Sequence, residues 1–396
     1  MSSFRLTKRA LAVLVPVTAA ACVAFMTPAT AGSSAPSSKT AIRTITAADL
    51  KLMHADAHPA SHAANAAAVR HASDSEKGLP YFSGSYTTGG VTYPYTMAGV
   101  SPKSGRTAEL KTVVVPLRMV FTGFDQNATF EPGVAVRNML RSPIFNEANF
   151  ANGRGQFGDQ MQRATFWNQM NSKHTWHTLM AEPDVSRTFT ITVTPDTGQL
   201  SLYHGAFIGN MNIDAFDAQL HAILPKLGLD PDETPLFVTQ SVTADALGYH
   251  DAFLVPDGHG GQRVQTLMWS SWLDGAQVGP LLADISTLNH EVAEWLNDPF
   301  INNEAPLWAF PPFNTSCGDN PFVEVGDPQG NGPDYAQFPT VEKRLNGYTY
   351  HLQDLALLQW FTRETPSSAY HGWYDFPDTT QLTSPSVDCP AAPPAP

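Results

Sequence analysis

The chain is poor in cysteine, in positive charge and in long apolar runs, and each shortage excludes something. Three cysteines occur among 396 residues, with no CxxC spacing, which argues against a thiolate metal site. Lys and Arg number 23 against 36 Asp and Glu, a net charge of −13. Nucleic acid and anionic membranes need the opposite sign, so they are poor partners. No G-x-S-x-G or Walker pattern is present, so two common catalytic or nucleotide-binding devices are missing. Beyond the N-terminus no segment reads as a membrane span.

The single apolar run is Ala10 to Phe25, preceded by Arg5, Lys8 and Arg9 and followed by Ala29-Thr30-Ala31. That order predicts a secretory signal over residues 1–31, cut after Ala31, and a secreted, extracellular protein with no stable membrane span. Pro16 interrupts the run and speaks against an anchor. Ala19-Ala20-Ala21 is a poor context for lipidation of Cys22, and Lys8-Arg9 is a faint twin-arginine signal. Loss of the leader removes three basic residues and no acid, taking the charge from −13 to −16. It also leaves two cysteines, Cys317 and Cys389, expected to pair in an oxidising exterior. Closing that loop stabilises by roughly 4 kcal/mol on chain-entropy grounds.

Residues 32–78 read as an Ala/His/Ser-rich linker or pro-segment. His54, His58 and His62 share a helical spacing, but Pro59 interrupts it and no acid or thiol converges on them. A single large domain is expected over 79–390, with a Pro/Ala tail over 391–396. Tyr81 to Met97 predicts a hairpin. Thr112 to Phe121 is the strongest strand, although Pro116 within it demands a bulge or an edge. Further strands are expected at Phe189–Val193, Leu236–Val242 and Val264–Trp272. Helices are expected at Asn138–Asn149, Gly158–Asn171, Ile213–Leu227, Pro280–Asp298 and Leu352–Phe361. Strands and helices mix without a βαβ repeat, so the fold class is α+β with a loop-rich C-terminal part.

The helix at Pro280–Asp298 carries the chemistry. Leu281, Ile285, Leu288, Val292, Trp295 and Leu296 form one apolar stripe. His290, Glu291, Glu294 and Asp298 lie elsewhere on the wheel. His290 and Glu294, one turn apart, can reach one ion. Glu291 points beside that ion, where the H-E-x-x-H zinc proteases place their general base. Glu294 stands where those enzymes carry histidine. A carboxylate binds zinc, but it lowers the charge left to activate water and admits manganese, iron or calcium. The competing reading is a solvated acidic face without metal.

Glu324 lies inside the short apolar stretch Phe322–Val325, where an unpaired charge is costly. It is the candidate third ligand. Asp327 is the alternative, and either could instead orient His290. His250 is a candidate substrate or oxyanion contact, with a hydrogen-bonded structural histidine as the plainer reading. Asp298 and His351 are further candidate contacts. The run Asp319 to Asp334 could hold calcium through oxygens, though without EF-hand spacing.

Asn289-His290-Glu291-Val292-Ala293-Glu294, Asn297-Asp298-Pro299 and Glu324-Val325-Gly326-Asp327 resemble motif blocks of the plant phosphate-induced, exordium-like secreted proteins. They are similar, more closely, to large secreted bacterial proteins that share these blocks. That second likeness extends to Gly158-Asp159, Gln162-Arg163, Phe166-Trp167-Asn168, Asn346 to Asp354 and Trp360-Phe361, spanning about residues 79–390. The resemblance implies a zincin-like mixed sheet and site helix, with His290, Glu294 and Glu324 as metal ligands, zinc foremost, and Glu291 as base. The expected function is a secreted metal-dependent hydrolase, metallopeptidase-like, acting on an extracellular peptide or polysaccharide. The alternatives are a non-catalytic cell-surface or cell-wall binding protein with a structural metal site, and a calcium-stabilised structural domain.

Overall fold

The computed structural model of the chain describes residues 39–46, 58–279, 282–308, 321–330 and 339–387. The expected leader, the Pro/Ala tail, His54, Cys317 and Cys389 lie outside these residues. Among the described residues no helix is long and apolar enough to cross a membrane.

Part of the stretch expected to be linker is built into the fold. Arg43-Thr44 pairs with Ser201-Leu202, and Ile45 is buried beside it. Pro59 precedes a helix, His62–Arg70 (α1), that buries Ala66 and Val69. Composition alone could not show this, because the anchoring groups are distant. Asn65 donates to Asp251 at 2.9 Å and Arg70 to Glu304 at 2.7 Å.

Tyr81–Thr88 (β1) and Val91–Ala98 (β2) form the expected hairpin. Its turn residues Gly89 and Gly90 both take positive φ, which glycine adopts without penalty. Thr107–Phe121 (β3) is interior to the main sheet. Phe189–Val193 (β4) and Glu233–Gln240 (β5) run parallel to it on either side. Gly248–Pro256 (β6) is antiparallel to Gln262–Trp272 (β7), which joins β5 in parallel. The order is therefore β4-β3-β5-β7-β6, with one antiparallel edge strand. Pro116 needs neither bulge nor edge. The β5 register ends at Pro116 and the β4 register begins at Leu117. The residue without an N–H sits where one ladder hands over to the next.

Alternation along the strands feeds two cores. Val115, Leu117, Met119, Phe237, Leu267 and Trp269 face one way. Val114, Leu236, Val238, Ala252, Val264 and Met268 face the other. Phe157–Thr165 (α2) packs into this second core through Phe157, Met161 and Ala164. Ile213–Ile223 (α3), capped by Asn212, lays Phe216, Leu220 and Ile223 on the first core. Ser286–Asn297 (α4) follows β7 and joins α2 on the second, with Leu288, Val292, Trp295 and Leu296. The result is a mixed α+β fold.

Several helices differ from expectation, and α2 ends at Thr165, six residues short of Asn171. α4 begins at Ser286, because Asp284 takes a left-handed φ of 47° and ends any continuous helix there. The helix expected over Asn138–Asn149 is only the end of Gly133–Met139. Beyond it Pro143 lacks an N–H, and Asn146 donates its amide to the carbonyls of Leu140 and Ser142, favouring turns. Tyr348–Gln353 (β8) and Leu355–Ala356 (β9) replace most of the last expected helix, leaving one turn at Leu358–Phe361. Asp375–Phe376 (β10) pairs with β9.

Candidate metal centre

The polar face of α4 is not solvated. Glu291 and Glu294 are each 4% exposed, which rejects the surface-helix reading. Burying carboxylates is costly unless something compensates their charge. Two imidazoles meet them. His290 comes from α4 itself, and His250 comes from β6, on the face of the edge strand that looks towards α4.

Glu294 is the shared element. Gly326 donates its N–H to Glu294 Oε1 at 3.0 Å. Oε2 lies 3.0 Å from His290 Nε2 and 3.7 Å from His250 Nδ1. His250 Nδ1 is also 3.8 Å from Glu291 Oε2. Two sets of donors result, His250 with Glu294 and Glu324, and His290 with Glu291 and Glu294. Within each set the donor atoms lie within 4.8 Å of one another, as ligands of one ion would. Glu324 is thus brought to the cluster, but on the His250 side. Asp327 Oδ1 stands 3.5 Å from His290 Nε2, so the alternative acid is close as well.

His290 is held in one orientation. Gln353 donates its Nε2 to the Gly326 carbonyl at 2.8 Å, which leaves its Oε1 as an acceptor 3.1 Å from His290 Nδ1. Nδ1 must therefore carry a proton, and Nε2 faces the carboxylates. This is the arrangement by which outer hydrogen bonds fix the tautomer of a metal-binding histidine. Asn289 and the Gln353 backbone exchange two hydrogen bonds, at 2.9 and 2.8 Å, and lock α4 to the end of β8.

Close backbone approach makes the room. A Cβ on Gly326 would meet the His290 ring at 2.3 Å, and one on Gly248 would meet Glu291 Oε1 at 2.5 Å. Both glycines are therefore required by packing.

The electrostatics follow from burial and charge. Burial pushes His250 well below the usual histidine range, so it stays neutral with a lone pair to offer. Burial opposes charge on His290 too, and is the largest single influence. The Glu294 and Glu291 charges and the bonds to Glu294 and Gln353 together outweigh it and raise the imidazole to about 10. The same carboxylate charge also favours a divalent cation, which must displace the proton on Nε2.

Two other candidates play different parts. Asp298 is buried, and its carboxylate accepts the N–H groups of Asn302 and Asn303 at 2.9 and 3.0 Å. Burial raises it to about 7. His351 is not brought to the cluster. Its Nδ1 pairs with Asp284 Oδ2 at 2.6 Å, at the start of α4. Gln353 and Gly326 are the residues sequence reasoning passed over.

Comparison with protein-family models, with curated proteins and with solved structures finds no match for this chain.

Proposed function

We propose that the protein is a secreted metal-dependent hydrolase with a zincin-like centre. The observation that carries this reading is His250. It is fully buried, its Nδ1 is 3.7 and 3.8 Å from two carboxylates, and neither ring nitrogen makes a hydrogen bond of ordinary geometry. Those distances are too long for hydrogen bonds. They suit two donors that each reach an ion at about 2.0–2.2 Å.

The donor set fits the group. Two imidazoles with carboxylates favour zinc, with manganese or iron next, and disfavour calcium, which prefers oxygens alone. His250, Glu294 and Glu324, which form one donor set, would hold it, with His290 on the other side of the shared Glu294. His250 restores the second imidazole that Glu294 removes from the helix motif. The four parallel strands, the antiparallel edge strand and the helix that follows β7 agree with the mixed sheet and site helix that the exordium-like resemblance implies.

When bound, such an ion supplies the charge that acidifies water and polarises a carbonyl. The chain's own residues do the rest. Glu291 is buried beside the cluster and takes the proton from the attacking water, then returns it to the leaving group. Gln353 keeps His290 Nε2 aimed inwards. The substrate class is an extracellular peptide or another hydrolysable polymer, met by a surface too acidic for nucleic acid.

The test is elemental analysis of the purified protein beside His290→Ala and His250→Ala, with turnover measured for Glu291→Gln. A transition metal should be present in the wild type, lost in both histidine variants and retained in Glu291→Gln, which should be inactive. A metal-free wild type refutes the centre. Metal retained with no hydrolysis of peptide or polysaccharide panels leaves a binding protein with a structural ion.

A further inference from the structure

We propose that Asp354, Asp375 and Gln329 form a second cation site, built of oxygens and suited to calcium, in the seam behind the candidate metal centre. Asp354 precedes β9 and Asp375 opens β10, so pairing of these strands brings the two carboxyls together. Both are fully buried. One oxygen of each is accounted for. Asp354 Oδ1 accepts from the Asp378 N–H at 2.8 Å. Asp375 Oδ2 accepts from the N–H groups of Gln381 and Leu382 at 2.8 and 2.6 Å.

The other oxygens, Asp354 Oδ2 and Asp375 Oδ1, make no hydrogen bond of ordinary geometry among the described residues. The two carboxyls nevertheless lie against each other, and each perturbs the other's ionisation. Two carboxyls brought together in a dry seam must share a positive species, a proton when no cation is bound. No Lys or Arg side chain forms a salt bridge with either among the described residues.

The Gln329 amide points independently to a ligand. It is 1% exposed, lies beside Asp354, and neither its Oε1 nor its Nε2 has a hydrogen-bond partner of ordinary geometry among the described residues, so the amide can turn its oxygen to an ion. A buried amide oxygen and two carboxylate oxygens, without nitrogen or sulfur, form a hard-cation donor set. Calcium accepts such oxygens in irregular geometry and completes its shell with carbonyls and water. Gln329 belongs to the Asp/Asn/Gly-rich run, so the sequence signal for calcium falls here and not on the histidine cluster.

The place in the fold gives the site a role. Asp354 adjoins Gln353, which orients His290. Ala356 donates its N–H to the Val325 carbonyl at 2.8 Å, tying β9 to the turn that carries Glu324 and Gly326. An ion here would stiffen that turn from behind.

The experiment is thermal melting of the full chain, purified with chelator and titrated with calcium chloride or magnesium chloride. Saturating calcium should raise the melting temperature by roughly 5 °C, the size expected when ligand exceeds its Kd about a hundredfold. The shift should persist in His290→Ala and vanish in Asp375→Asn. Should Asp375→Asn fail to fold, Gln329→Ala serves, with calcium affinity lowered about tenfold, near 1.4 kcal/mol. Terbium bound by the wild type and displaced by calcium gives a reading independent of stability. Absence of any calcium shift, or its loss in His290→Ala, overturns the proposal. So does an undiminished shift in Asp375→Asn.

Discussion

A methyl group at Gly326 would strike the ring of His290. The added Cβ would lie 2.3 Å from Nδ1, 2.4 Å from Cε1 and 2.5 Å from Cγ. Ordinary contact begins near 3.4 Å, so the ring or the turn must retreat by about 1 Å, the kind of overpacking that costs about 1–3 kcal/mol. The retreat is not free to go anywhere. Nδ1 is 3.1 Å from Gln353 and Nε2 is 3.0 Å from Glu294. Moving the ring lengthens one bond or the other. The Gly326 N–H also holds Glu294, so moving the turn disturbs a second donor. Loss of such orienting contacts lowers metal affinity by about 10–100-fold. Gly326→Ala should therefore fold, melt lower, and lose zinc to a chromophoric chelator at 10–100-fold lower chelator concentration. A variant with wild-type zinc affinity would refute the claim that the Glu324–Asp327 turn positions the centre.

Other outcomes follow from the same contacts. Asn65→Ala removes one donor from the buried Asp251 carboxylate and should cost about 1–3 kcal/mol by urea unfolding; an unchanged midpoint would mean that α1 adds nothing to the fold. Trp295→Ala opens a cavity in the fully buried face of α4 and should cost about 3–5 kcal/mol by the same method. Burial raises Asp375 to about 6. A folded-state value above the unfolded one stabilises below the ordinary carboxyl range, and that stabilisation is lost as pH rises through about 6. In chelator, the melting temperature of the wild type minus that of Asp375→Asn should therefore fall between about pH 4 and pH 7. A flat difference would disprove the raised ionisation. Glu324→Gln should weaken metal binding without changing α4, read by zinc competition beside circular dichroism.

The parts of the centre that sequence could show are the local ones. His290, Glu291 and Glu294 stand out because their spacing is set by one helix and the apolar stripe marks which face is theirs. Glu324 stands out because an acid amid Phe322, Val323 and Val325 needs a partner. His250 carries no such mark. It becomes a neighbour of Glu294 only after β6 pairs antiparallel with β7 and α4 packs across that sheet, and no periodicity records that event. Gln353 and Gly326 are equally silent, since an amide and a glycine look like loop chemistry until their partners are placed. Strands β3, β4, β5 and β7 are legible from β-branched and apolar runs, whereas β6, which carries His250, is not. The start of α4 is not legible either, because it is set by the backbone of Asp284 and not by hydrophobic pattern. The helix expected at Leu352–Phe361 failed for a related reason. Leu352, Leu355 and Leu357 fit either period, and pairing with Phe376 and its neighbours decided for strand.

The paired hydrogen bonds between Asn289 and Gln353 have a consequence for when the protein can act. The candidate metal donors occupy residues 250 to 324, yet the group that aims His290 arrives later in the chain, with β8. A chain still emerging from its synthesis can already possess every candidate ligand and still present a misdirected histidine. Competence is therefore conferred late, as the C-terminal strands dock on α4. The same dependence makes the centre fragile from that side. Cleavage just after Asn346 would spare every ligand and remove the clamp, leaving a chain that still carries the motif without the site.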